Sequence, residues 1–106
     1  MTIGVYTIDL HLPAARSLKD KRQVFRKLKD RLRTRHNVAV VETSEHANLW
    51  QRGRLTVVSV AESRETLVRL FDSIERDTET SIPGQWFESL REFIESAGDG
   101  WDEGEA

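Results

Sequence analysis

RSLKDKRQVFRKLKDRLRTR, residues 16–35, is the stretch on which the reading of this fold turns. Ser17 stands at its head, and Asp20 follows three residues later, the arrangement of a capping box with Asp in place of Glu. Leu18, Val24, Phe25, Leu28 and Leu32 recur at helical spacing, so one side is apolar. Arg33, Arg35 and His36 close the run with the sign that complements the helix dipole. The pattern predicts one continuous helix over 17–35, capped by Ser17. The remaining faces carry ten of the chain's 16 Lys and Arg against two Asp, a local balance of +8 in a chain of net charge −2.

The flanks of this helix read as strands. In 2–12, Tyr6, Ile8, Leu10 and Leu12 alternate on one face, and Ile3, Val5, Thr7, Asp9 and His11 on the other. Pro13, which cannot donate to a ladder, ends that strand. Beyond a turn at Asn37, 38–43 is a short β-rich run, and 44–53 is a polar connection containing Leu49 and Trp50. Residues 54–61 are the most strand-like segment. Leu55, Val57 and Ser59 share one face; Thr56, Val58 and Val60 share the other. Apolar residues on both faces predict a central, doubly covered strand. Ser63 caps a second helix with a stripe of Leu67, Leu70, Phe71 and Ile74. The order so far is βαββα. In 85–95, the spacing of Trp86, Phe87, Leu90, Phe93 and Ile94 fits a helix better than a strand. Residues 97–106 are acidic and Gly-rich, the composition of a disordered tail behind a single domain over 1–96.

Two segments together resemble a known family. RSLKDKR (16–22) follows a strand of the type GVYTIDL (4–10), and HANLWQR (46–52) precedes the third strand. Over 3–78 the chain is similar to the YlxP-like family of small bacterial proteins, a domain of unknown function. The resemblance implies an α+β, ferredoxin-like βαββαβ sandwich, with two helices on one face of an antiparallel sheet. On that ground 85–95 is expected to be the fourth strand, against its helical spacing. The resemblance also implies a bacterial cytosolic protein, often encoded among translation genes, and no established activity.

Composition excludes several classes of function. Without Cys there is no disulfide framework, zinc-thiolate site or thiol nucleophile. No apolar run approaches the ~20 residues that span a bilayer, and the N-terminus does not read as a leader. Metal-ligand spacing and a phosphate loop are both missing, so no metal or cofactor is expected. Asp9 and His11, with His46, form the one arrangement fit for acid–base work, but no nucleophile motif accompanies them. From residue 62 onward, 13 Asp and Glu face four Arg.

The basic helix has two readings: a solvated face partly paired with the acidic second half, or a contact for phosphates. On the second reading Arg16, Lys19, Lys21, Arg22, Arg26, Lys29 and Arg33 meet a polyanion. Trp50 either folds back on the core or a subunit contact, which predicts that it is mostly buried, or stacks on a base beside Arg52. The open sheet face, Ile3 and Val5 with Leu55 and Val57 (or the alternate register), is apolar enough to predict a homo-oligomer. The expectation is a non-enzymatic cytoplasmic domain that binds structured RNA or a ribosomal particle. The alternative is a homo-oligomeric interaction module with no nucleic-acid role.

Overall fold

The computed structural model describes residues 1–81 and 86–96. Gln85 and the expected tail over 97–106 lie outside the described residues. The order is β1 (Thr2–His11), α1 (Leu18–Arg35), β2 (Ala39–Glu42), β3 (Arg52–Ala61), α2 (Arg64–Ser81) and β4 (Trp86–Glu95). The strands form one antiparallel sheet in the order β2-β3-β1-β4, with the helices packed on one face. This is the ferredoxin-like arrangement.

Local signals fix the helix starts. Ser17 Oγ accepts from the Asp20 N–H at 3.1 Å, and the Asp20 carboxylate reaches one residue past the cap to accept from the Arg16 N–H at 2.9 Å, a variant of the capping box. Ser63 Oγ does the same for the Thr66 N–H. In the register of the central pair, Thr2 lies opposite Ala61 and His11 opposite Arg52. The inward face of β1 is the predicted one: Tyr6, Ile8 and Leu10 are fully covered, and Leu12 continues the stripe. Phe25, Leu28 and Leu32 from α1 and Leu67, Phe71 and Ile74 from α2 meet them. Phe25 seats directly over Gly53, where an added Cβ would collide with the ring. That close approach sets the first turns of α1 down on the start of β3.

Two expectations need correction. Leu55 and Val57 are fully buried under the helices, so the open face takes the alternate register of Thr56, Val58 and Val60. Interior position in the sheet accounts for the apolar character of β3 on its inward side; its outward side is uncovered. The third strand also begins two residues earlier than its pattern suggests, because Arg52 and Gly53 pair with His11 and Leu10. The final segment is a strand, as the resemblance implied. Phe87 and Phe93 reach the core, while Leu90 and Ile94 point outward.

Candidate functional site

Lys19, Arg22, Arg26, Lys29 and Arg33 follow one another at spacings of three and four residues and form a single stripe along α1. At the helical rise the stripe is about 21 Å long. Its position is fixed by two contacts to the neighbouring edge strand. Lys29 Nζ lies 3.7 Å from Glu42, and Arg33 donates to the Val40 carbonyl at 2.7 Å. The stripe therefore runs along the flank of α1 beside β2. No ion pair among the described residues engages Lys19, Arg22 or Arg26. The opposite flank differs. There Asp77 of α2 accepts from Arg35 at 3.0 Å and sits 2.8 Å from His36 Nε2. Burial of the Asp77 carboxyl raises its pKa, but the hydrogen bond from His36 and the charges of Arg35, His36 and Arg31 prevail and leave it lowered. Arg16, at the N-terminal end of α1, is exposed.

Lys21 does not belong to this surface. It is 3% exposed, and its ammonium donates to the carbonyls of His46 at 2.7 Å and Leu49 at 2.8 Å. Burial lowers its pKa, with Arg22 adding to that and Glu42 opposing it. A sequence signal for this existed: Lys21, Phe25, Leu28 and Leu32 share the buried stripe of the helix. The side chain is a tether that holds the 44–51 connection against the start of α1. Trp50, expected to be mostly covered, is 48% exposed on that connection, beside Leu49 at 50%. With His11, Asn48, Leu49, Gln51 and Arg52 it lines a shallow hollow of about 500 Å³. Trp50 and Arg52 are thus brought together, as their place in the sequence suggested, but in the open rather than in the core.

The open face of the sheet divides into two halves. In one, Val60 of β3, Ile3 of β1 and Ile94 of β4 form a cross-strand row, with Val58, Val5 and the exposed Glu92 in the next. Val60, Leu90 and Ile94 are each more than half exposed. In the other half the row is Arg54, Asp9 and Glu88, followed by Arg52 and His11. Asp9 Oδ2 accepts from Arg54 at 2.9 Å. His46 Nε2 lies 3.2 Å from Asp9 Oδ1, too poorly aligned for a hydrogen bond. Desolvation pushes the Asp9 pKa up, but the hydrogen bond and charge of Arg54, with the charges of His46 and Arg52, bring it below the usual value. Held this way, Asp9 is a weaker base than a free carboxylate. His11, grouped with Asp9 on the strand, lies instead 3.3 Å from Glu88. Among the described residues no cluster of His, Asp and Glu could hold a metal ion, and no helix is long and apolar enough to cross a membrane.

No curated protein matches the chain. Two solved structures share its fold. The de novo designed protein Foldit4 aligns at a TM-score of 0.56 and 14% identity, over 87% of this chain and 97% of its own. LFR1 1, a de novo designed protein with a ferredoxin fold, aligns at 0.55 and 14% identity, over 97% of this chain and 93% of its own. Neither likeness bears on activity, since a fold hosts many unrelated functions. Family membership comes from the sequence itself: the profile of a protein family of unknown function, DUF503, matches residues 3–92, and the chain belongs to that family.

Proposed function

We propose that the chain is a YlxP-like, non-enzymatic cytoplasmic domain that binds structured RNA or a ribosomal particle through the β2-side flank of α1. The observation that carries this reading is the asymmetry of the helix. One flank is paired with Asp77 through Arg35 and His36, while the other presents Lys19, Arg22 and Arg26 without ion pairs among the described residues. Cations placed along about 21 Å of rigid helix match a row of phosphates, and each phosphate neutralised releases condensed counterions. Base stacking on the sheet is not part of the reading. Tyr6 is buried in the core, and β3 has no aromatic residue. Contact by shape and charge suits folded RNA, whose base edges are shielded.

The test is retention of structured RNA or ribosomal subunits across a salt series, by the wild type and by the Lys19→Glu, Arg22→Glu, Arg26→Glu triple variant. These three side chains are exposed, so the fold is retained. The wild type should lose affinity with a log–log slope of about 0.7–0.9 per phosphate contacted. The triple variant should not bind. Salt-insensitive retention, equal retention by both proteins, or none by the wild type at low salt would sink the proposal. The alternative of a protein-interaction module draws support from the exposed apolar half of the sheet.

A further inference from the structure

We propose that a second copy of this chain covers the open sheet face, related by a two-fold axis parallel to the strands and lying between β1 and β3. The face is self-complementary about that axis. Rotation keeps every cross-strand row at its own level and reverses its order. Val60 then lies over the partner subunit's Ile3, and Val58 over the partner subunit's Val5. In the charged half, Arg54 lies over the partner subunit's Asp9, and Asp9 over the partner subunit's Arg54. The two-fold axis perpendicular to the strands fails this test. It lays the Ile3 and Val60 row on the His11 and Arg52 row and buries charge against aliphatic side chains.

Asp9 and Arg54 already pair within one copy, and both side chains keep some exposure toward the open face. Sheets stack about 10 Å apart, a gap an extended arginine crosses. The partner subunit's Arg54 then lies within reach of Asp9 and turns the pair within one copy into a ring of alternating charge about the axis. Three ten-residue strands and the four-residue β2, at about 4.8 Å by about 3.4 Å per residue, give a footprint near 550 Å² for each copy. Both copies together bury about 1,100 Å², close to the lower bound of stable specific interfaces. A partner of unrelated sequence has no reason to match both the apolar rows and the order of the charges; a second copy matches them by symmetry.

Sedimentation equilibrium tests the assembly. The wild type should show twice the 12.2 kDa chain mass. Leu90→Lys and Val60→Glu, each at a position more than half exposed, should keep the circular dichroism of the fold and weaken the dimer roughly a hundredfold. Asp9→Arg and Arg54→Asp chains should each be monomeric alone and form a heterodimer when mixed, because the two cross-axis pairs are then restored. Should either charge variant fail to fold, a short bis-maleimide decides the axis: Val60→Cys chains must cross-link to Ile3→Cys chains and not to Arg52→Cys chains. A wild-type monomer at high concentration, a dimer indifferent to Leu90→Lys, or the reverse cross-linking pattern would overturn the proposal.

Discussion

Replacing Lys21 by Met tests the account of the tether most directly. Met keeps the length and most of the volume of the side chain, so packing on Phe25 and Gly53 survives. What is lost is the pair of hydrogen bonds to the carbonyls of His46 and Leu49. A bond from a charged donor contributes about 1.5 kcal/mol at the low end, so the pair contributes about 3 kcal/mol. Against this, removing an ammonium that is 3% exposed relieves roughly 1 kcal/mol of desolvation. The net expectation is a loss of about 2 kcal/mol, which for a domain of this size lowers Tm by about 10 °C. Urea and thermal unfolding measure it, with Arg22→Met, one position along on the exposed surface, as the control. Hydrogen exchange adds a local readout, since amides of the 44–51 connection should exchange faster in Lys21→Met alone. A Lys21→Met protein within about 0.5 kcal/mol of the wild type, or no different from Arg22→Met, would refute the tether.

Two further outcomes follow from local geometry. Ser17→Ala removes the oxygen that receives the Asp20 N–H and should cost about 1 kcal/mol in urea unfolding; an unchanged midpoint would show that Asp20 and water suffice as the cap. The lowered pKa of Asp77 makes its contribution complete above the unfolded carboxylate value of about 3.9 and lost as pH falls through the folded value. Asp77→Asn should therefore be less stable than the wild type at neutral pH and show a shallower decline below about pH 4; parallel acid limbs in denaturant midpoints from pH 2 to 7 would contradict this.

Local chemistry is where sequence reading succeeded. Caps act within one turn, so Ser17 and Ser63 reveal their helices without reference to anything distant. Alternation located β1 for the same reason: one side of it meets the core and the other does not. The fourth strand hid because its inward face is mixed. Arg91 occupies an inside position there, 5.1 Å over the Tyr6 ring and held by Asp72 and Glu75. Leu90 and Ile94 sit outside, so neither face reads as hydrophobic. The candidate site was half legible. Arg22 and Arg26 lie where a helical wheel puts them, whereas the pairing of His46 with Asp9 depends on how the nine-residue connection from β2 to β3 is tied down. The exposure of Trp50 has the same origin. Once Lys21 holds the backbone just before it and the Leu12 N–H holds the Gln51 carbonyl just after it, the indole is carried outward whatever its own preference for cover.

The bond from Arg33 to the Val40 carbonyl has a consequence for how this protein behaves in a crowd. β2 is an outer strand of four residues, and its free side would ordinarily offer unpaired carbonyls to any passing extended chain. Arg33 occupies one of them with a bulky cation and sets Lys29 beside it, so an approaching strand meets charge where it needs an acceptor. Short length and a guarded carbonyl together discourage growth of the sheet by one strand after another, the route to fibres. The basic helix thus shields one of the sheet's two edges from amyloid-like stacking.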